Sequence, residues 1–342
     1  MRILIISPTQ SGIGGIARVV QNQKKFLISN GYDVDIISSE NTPIIPIKGL
    51  KNLSFMITSF LKTKFKNNYD IIHAHNPASG MAMMSLTGKK VLSIWGNFEE
   101  QISLLHGNFL GKIAGNFQEN IIKNSDAVIV ASKKIQTEYN KLGYNTHYMP
   151  NGIDFDELPK SKERIYQKQI IFIGRLSKEK GILELLDAAK KIPENIHLLI
   201  VGNGPEQSKV ENISKLSTNI HYLGYLPNER VIKLIRGSDI LIQPSLIEGG
   251  LNSTLLEAMA CKTPILIKYI PEYGDEIEHL KTAYVIQTNS SDNIVNGIDE
   301  LINNFELREE IANEAYKISL NHSWNNLGEQ LVILYKKLLS VN

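Results

Sequence analysis

Short apolar runs alternate with longer helical patterns along almost the whole chain, and this alternation constrains the fold more than any other feature. Each run ends near a turn-forming residue, as parallel strands do when helices connect them. Ten runs read as strands: 3–7, 34–38, 71–75, 91–94, 127–131, 170–174, 198–202, 240–243, 265–267 and 284–286. Segments between them, such as 16–29 and 182–191, have the spacing of amphipathic helices. The pattern predicts an α/β fold with two doubly wound parallel sheets.

The two series of strands meet at a polar segment between residues 150 and 168. MPNGID predicts a turn there, and KSKERIYQKQ is charged. We therefore expect a first domain over residues 1–155 and a second over residues 166–322. Ligands of doubly wound sheets bind at the carboxyl ends of the strands, so the functional residues should follow the apolar runs.

Composition excludes several classes of function. The chain has 37 basic and 35 acidic residues, a net charge of +2, so its bulk charge does not support nucleic-acid binding. Cys261 is the only cysteine, so no internal disulfide can form. The start, MRILIIS, enters a strand pattern directly and lacks the apolar core and cleavage site of a secretory signal. No apolar run approaches the length of about 18 residues that spans a membrane, and we expect a cytoplasmic protein.

The stretch 243–264, QPSLIEGGLNSTLLEAMACKTP, carries the strongest functional signal. Asn252 or Ser253 can cap the helix that follows the glycine pair. A glycine-rich turn at a helix N-terminus favours an anion such as phosphate. The carboxylates of Glu248 and Glu257 flank this turn and can accept hydrogen bonds from hydroxyls. The stretch fits a nucleotide diphosphate sugar, while the alternative is an ordinary strand–loop–helix unit with two solvated glutamates.

Three further turns follow strands in the second half of the chain. GRLSKEKG places Arg175 just after a strand and Lys180 just before a helix. Arg binds phosphate oxygens in a bidentate manner and Lys binds them as a point charge, although a solvated basic loop is the alternative. VGNGPE carries Asn203, and LGYLP carries Leu226. Backbone groups of such turns can read a base edge without a special side chain.

The first half of the chain carries weaker signals. Gly14 and Gly15, in PTQSGIGGIARVV, precede a helix whose N-terminus favours phosphate. IIHAHNP contains His73 and His75, which we expect to face opposite sides of the sheet. Only His75, nearer the strand end, would then reach a site, which argues against a metal shared by the two. VLSIWGN places Trp95 before a glycine, and a core or rim Trp is the alternative to a functional one.

As a set, these motifs resemble those of the retaining GT-B glycosyltransferases of family 4. In that family a Glu–Gly turn precedes a helix with a second Glu, then Ala-Met-Ala and Pro, and usually seven residues separate the glutamates. Here eight residues separate Glu248 from Glu257. Many members have His at the position of Trp95, and Trp cannot act as a base at neutral pH. The resemblance implies two doubly wound, Rossmann-like domains facing a cleft, with a last helix over residues 323–342 that crosses back onto the first domain.

The resemblance also implies a role for each candidate residue. Arg175 and Lys180 would hold the donor diphosphate, and Glu248 would position the donor sugar. The other implied donor contacts are Gly14, Gly15, His75, Asn203, Leu226, Gly250, Leu251, Asn252, Ser253, Thr254 and Glu257, the last holding ribose hydroxyls.

The implied reaction moves a sugar from a UDP-sugar to a carbohydrate or lipid-linked acceptor, in the synthesis of a cell-surface polysaccharide or glycoconjugate. It needs no metal, cofactor or protein nucleophile, because a phosphate oxygen would take the acceptor proton. Two other classes remain open. One is a GT-B nucleotide-sugar 2-epimerase, which would release an epimer without an acceptor. The other is a catalytically silent GT-B partner subunit.

Residues 47–66, IKGLKNLSFMITSFLKTKFK, combine lysines with large apolar side chains. A basic, aromatic-rich helix of this kind can lie in a lipid interface, which predicts a peripheral contact with the inner face of the membrane. The favoured alternative is a helix that buries one apolar face against its own sheet.

Overall fold

The chain folds into two compact units, each built on one six-stranded sheet. The structure, a computed structural model, describes residues 1–10, 15–45, 51–64, 66, 68–95 and 107–340. The first unit comprises residues 1–152 and the C-terminal segment from Trp324, and the second comprises residues 153–323. The strands pair in parallel in both sheets. The predicted α/β fold with two doubly wound parallel sheets is therefore confirmed.

The first unit packs helices on both faces of its sheet. The strands are β1 (Arg2–Ile6), β2 (Asp33–Ile37), β3 (Ile71–His75), β4 (Lys89–Ile94), β5 (Ala127–Val130) and β6 (Thr146–Tyr148), in the spatial order β2-β1-β3-β4-β5-β6. The described helices are α1 (Gly15–Ser29), α2 (Lys51–Thr63), α3 (Pro77–Met84), α4 (Asn108–Lys123), α5 (Lys133–Lys141) and the C-terminal helix (Trp324–Ser340). Because side chains alternate along a strand, Ile3 and Ile5 join the core under α1 and the C-terminal helix, and Leu4 and Ile6 join the opposite core.

The second unit repeats this design. Its strands are β7 (Gln169–Ile173), β8 (His197–Val201), β9 (Ile220–Gly224), β10 (Ile240–Gln243), β11 (Ile265–Lys268) and β12 (Tyr284–Ile286), in the order β12-β11-β10-β7-β8-β9. Its helices are α6 (Ile182–Ala189), α7 (Gln207–Leu216), α8 (Asn228–Gly237), α9 (Ser253–Ala260), α10 (Ser291–Asn303) and α11 (Phe305–Asn321). Two apolar cores, one on each face, enclose the sheet.

Two strands were missed by the sequence pattern. β6 and β9 are the last strands at one edge of their respective sheets, and their sequences, THY and IHYLG, mix polar and apolar residues. An edge strand has only one neighbour and need not be apolar throughout, so hydrophobic runs do not reveal it.

The predicted interfacial segment forms α2 where the structure describes it; residues 46–50, 65 and 67 lie outside the described part. Phe55 is buried in the core, so the helix packs one face on its sheet. Lys62 donates hydrogen bonds to the Asn41 side chain and backbone, and Lys66 pairs with Asp35 at 3.3 Å. The membrane contact stays a prediction. Among the described helices, none has the length and apolar character needed to cross a bilayer.

Candidate functional site

The order of strands in the second unit reverses between the neighbouring strands β7 and β10. Doubly wound sheets bind their ligands at such a switch point, just beyond the carboxyl ends of the strands. The segment after β7 carries Arg175 and Lys180, and the segment after β10 carries Glu248. The topology therefore brings the three predicted catalytic residues to one end of one sheet.

Direct backbone contact joins these two segments. The amide of Leu246 donates a hydrogen bond to the carbonyl of Glu179 at 2.8 Å. Gly181 has a φ of 70° and lies so close to Pro244 that an added Cβ would be 1.9 Å from the Pro244 carbonyl oxygen. Only glycine adopts this conformation at this distance without strain. The short 3-10 turn Lys178–Lys180 is thereby held against the end of β10.

The turn after β8 packs on the Arg175 segment in the same way. The amide of Leu176 donates to the carbonyl of Asn203 at 2.9 Å. Gly202, with a φ of 132°, leaves no room for a Cβ, which would lie 1.9 Å from the carbonyl oxygen of Gly174. The Asn203 side chain is exposed, whereas the predicted base-side residue Leu226 is buried in the core, so only its backbone is available to a ligand.

An ion pair joins the segment after β7 to the segment after β10. Lys180 Nζ lies 2.5 Å from Glu248 Oε1, and Ser245 Oγ donates to the same oxygen at 2.8 Å. The Glu248 side chain is only 7% exposed and that of Lys180 is 23% exposed. The turn after β10 thus places Glu248 against Lys180. A phosphate that binds Lys180 has to share the ammonium group with this carboxylate or displace it.

Arg175 is the more accessible of the two cations. Its side chain is 58% exposed and lies 3.8 Å from Glu179, whose carboxylate also accepts a hydrogen bond from Ser177 Oγ at 2.6 Å. A surface pair of this length contributes little, so Arg175 can turn to an anion at small cost.

The helix α9 begins where the sequence predicted an anion site. Asn252, not Ser253, is the cap: its Oδ1 accepts from the amide of Leu255 at 3.0 Å. Gly250 and Leu251, just before the cap, are buried, and Ser253 and Thr254, at the start of the helix, are half-buried. Glu257 lies one turn further on and is 5% exposed. The N–H groups of the first turn point out of the helix N-terminus, where they and the helix dipole favour an anion.

Several buried polar atoms around these strand ends have no hydrogen-bond partner within the described part of the chain. They are Gln243 Oε1, Asn252 Nδ2, Tyr273 Oη and Asn289 Oδ1. Folded proteins leave few such atoms unpaired, and each one that remains has an explanation such as a bound water, an ion or a functional role. Sequence reasoning found only Asn252 among them, because Tyr273 and Asn289 have polar or glycine neighbours, as surface residues do, and Gln243 only ends an apolar run.

Tyr273 is the most buried of these groups, at 2% exposure. Burial, reinforced by the carboxylates of Glu248 and Glu272, raises its pKa well above the usual value. The phenol therefore stays protonated at neutral pH and offers an O–H donor on the same side of the unit as Glu248.

In the first unit, only part of the predicted set can be placed. Gly14 lies outside the described residues, and Gly15 is the first residue of α1. His75 is the last residue of β3 and is 1% exposed, and burial lowers its pKa to about 3. The expectation that His73 and His75 face opposite sides is wrong. Their rings stack at 4.5 Å, because residues two apart along a strand share a face.

Comparison with known families agrees with this geometry. The family named "Glycosyl transferases group 1" matches residues 154–318, and the family named "Glycosyltransferase Family 4" matches residues 13–157. Between them they account for most of both units. The chain belongs to the family 4 glycosyltransferases. The motif resemblance found in the sequence is therefore confirmed.

Individual relatives of this family 4 glycosyltransferase are distant. The alpha-monoglucosyldiacylglycerol synthase of Acholeplasma laidlawii is 24% identical, over 81% of this chain and 82% of its own. Sucrose-phosphate synthase from Thermosynechococcus elongatus has a TM-score of 0.84 at 17% identity, with all of both chains covered. Anabaena HepE, solved in complex with UDP-glucose, has a TM-score of 0.74 at 17% identity, over 98% of this chain and 100% of its own. The two solved structures share the fold.

The unpartnered hydroxyl of Tyr273 makes a testable prediction. Tyr273→Phe removes a buried group that has no protein partner, so the melting temperature should stay the same or rise. Tyr335→Phe is the matched control, because the Tyr335 hydroxyl contacts both Gln23 and His73. Its loss should cost roughly 1–3 kcal/mol, at about 0.5–1.5 kcal/mol for each hydrogen bond. Equal destabilisation of the two variants in thermal unfolding would mean that Tyr273 is satisfied within the protein.

Proposed function

We propose that this glycosyltransferase moves a sugar from a UDP-sugar to an acceptor hydroxyl with retention of configuration, in the synthesis of a cell-surface polysaccharide or glycolipid. The observation that carries the proposal is the convergence of Arg175, Lys180 and the N-terminus of α9 at the switch point of the second sheet. Two cations and a helix N-terminus at one strand edge suit a diphosphate.

This arrangement addresses the chemical difficulty of the reaction, which is the negative charge that builds up on the departing diphosphate. Preorganised cations and backbone N–H groups stabilise such charge without reorganising during the step. In the proposal, Arg175 and Lys180 bind the phosphates, Glu257 holds the ribose hydroxyls and Glu248 orients the transferred sugar. The acceptor proton passes to a phosphate oxygen on the same face, so no protein nucleophile takes part. Metal independence stays a prediction.

The names of relatives support the choice of substrates. HepE was solved with UDP-glucose, which has the diphosphate and hydroxyl layout that the second unit suits. The Acholeplasma laidlawii synthase is named for a glucosylated diacylglycerol, which supports a lipid acceptor. A thermal-shift screen of nucleotide diphosphate sugars, followed by an acceptor screen, would identify both partners. Release of an epimer without acceptor would favour the epimerase instead.

The cations of the site can be tested separately from the transfer reaction. Arg175→Ala and Lys180→Ala should each weaken UDP binding by about 1.5–3 kcal/mol, the range for hydrogen bonds to charged groups. Arg230→Ala is the matched control, since Arg230 pairs with Glu163 in the same unit and outside the switch-point segments. Calorimetry should show unchanged UDP affinity in the control. Unchanged UDP affinity in both site variants would contradict the proposal that Arg175 and Lys180 bind the diphosphate.

The Lys180–Glu248 pair predicts an opposite effect for the carboxylate. Glu248→Gln keeps the shape of the side chain but removes the charge that holds Lys180 at 2.5 Å. UDP should then bind more tightly, by roughly tenfold or about 1.4 kcal/mol, because it no longer competes with a carboxylate. Transfer should slow, because an amide holds sugar hydroxyls less strongly.

Glu163→Gln makes the same change in the distant pair with Arg230 and should alter neither quantity. If Glu248→Gln weakens UDP binding or transfers sugar at the wild-type rate, the proposed exchange of partners at Lys180 does not occur.

We further propose that α2 contacts an anionic membrane surface. Its outer face exposes Ile57 and Leu61, each about half accessible. Each nearby lysine can add about 1 kcal/mol at an anionic surface.

The double change Ile57→Ser and Leu61→Ser should reduce co-sedimentation with anionic liposomes at low salt. Ile333→Ser, on the C-terminal helix, removes an apolar side chain that is even more exposed and should have no effect. Absence of liposome binding by the unaltered chain would end the membrane proposal.

A further inference from the structure

A buried polar network lies between α1, the central strands of the first sheet and the C-terminal helix. The Gln23 amide nitrogen donates to the hydroxyl of Tyr335 at 2.8 Å and lies 2.8 Å from His73 Nδ1. Tyr335 Oη lies 2.6 Å from His73 Nδ1, and His73 Nε2 lies 2.7 Å from Ser93 Oγ. Gln23 Oε1 lies 2.7 Å from His75 Nε2. All five side chains are 2% exposed or less.

The orientation of Gln23 decides where His75 carries its proton. With its amide nitrogen directed at Tyr335, Gln23 presents its oxygen to His75, so His75 Nε2 must be the N–H that donates to it. Burial lowers the pKa of His75 to about 3, so the ring is neutral at physiological pH. The lone pair of a neutral imidazole is then on Nδ1. Within the described chain, this atom is buried and accepts no hydrogen bond.

The neighbouring Trp95 leaves the complementary atom unused. Trp95 directly follows β4, beside the end of β3, and its ring is parallel to that of His75, with the centroids 5.9 Å apart. Its indole N–H is also buried without a partner among the described residues. The unpaired acceptor and the unpaired donor therefore belong to two parallel rings with centroids 5.9 Å apart, at the carboxyl edge of the sheet. A hydroxyl group matches this pair, because it both donates and accepts.

We propose that Gln23 is a positioning residue, which holds His75 in the tautomer whose Nδ1 accepts a hydrogen bond from a hydroxyl of a sugar substrate, while the Trp95 N–H donates to the same hydroxyl. The assignment of the hydroxyl to a sugar rests on the proposed function.

The tautomer can be measured without any substrate. In full-length protein labelled with ¹⁵N-histidine, the eight histidines are resolved by long-range ¹H–¹⁵N correlation, and His75 is assigned by its absence in His75→Asn. We expect the proton of His75 on Nε2 and a bare Nδ1. Gln23→Met, similar in size but without hydrogen bonds, should mix the two tautomers. A proton on Nδ1 in the unaltered chain would overturn the proposal.

Ser93→Ala separates positioning from general damage to the network. It removes the hydrogen bond at the far nitrogen of His73 and leaves the bond between Gln23 and His75 in place. The His75 resonances should therefore stay as in the unaltered chain. If Ser93→Ala changes them as much as Gln23→Met does, the network is structural and Gln23 has no specific effect on His75.

Substrate addition then tests the hydroxyl. The UDP-sugar that stabilises the chain most in the thermal screen should shift His75 Nδ1 if the hydroxyl belongs to the donor, whereas an alkyl glycoside should do so if it belongs to the acceptor. UDP alone should leave Nδ1 unmoved. In Gln23→Met, turnover should fall by about tenfold or more with UDP affinity unchanged, as expected for a misplaced positioning group.

The outcomes separate the two proposals. If a UDP-sugar binds and is turned over but neither it nor the glycoside moves Nδ1, the role of Gln23 and His75 is overturned while the proposed function stands. If no nucleotide sugar binds, the proposed function fails, and the sugar assignment of the hydroxyl fails with it.

Discussion

The close approach of Gly181 to the carbonyl of Pro244 is the constraint on which the second unit's site depends. It presses the turn that carries Lys180 against the end of β10, and the hydrogen bond from Leu246 to Glu179 locks the two segments in register. The contact is between backbone atoms and fixes the backbone at Lys180, while the ion pair with Glu248 directs the side chain. A cation is thus fixed at the strand edge where doubly wound sheets bind phosphate.

The positive charge of Lys180 is already paired within the protein. Glu248 neutralises Lys180 through an ion pair that is largely shielded from water. Without this pair, a buried charge would lack a partner and would destabilise the folded protein. The same carboxylate is the group expected to hold the donor sugar. In the proposed function, a diphosphate sugar takes Lys180 from Glu248 and leaves this carboxylate to the sugar, which couples recognition of the two parts of the donor.

The order of the apolar runs along the chain was enough to predict both sheets, because buried parallel strands must be apolar on both faces. It missed β6 and β9, because edge strands escape that requirement. Motifs located Arg175, Lys180 and Glu248, but not the pairing of Lys180 with Glu248, since two residues 68 apart meet only through topology. Gln23 and Tyr273 gave no signal, because each has polar or glycine neighbours in the sequence and looks like a surface position until its burial is known.

A structure of the protein with UDP bound tests the central claim most directly, because it reports the partner of Lys180. The account predicts that Lys180 Nζ leaves Glu248 and contacts a phosphate oxygen, with the diphosphate against the first turn of α9 and Arg175 turned away from Glu179. UDP bound elsewhere on the chain, or bound at the switch point with the pair between Lys180 and Glu248 intact at 2.5 Å, would contradict it.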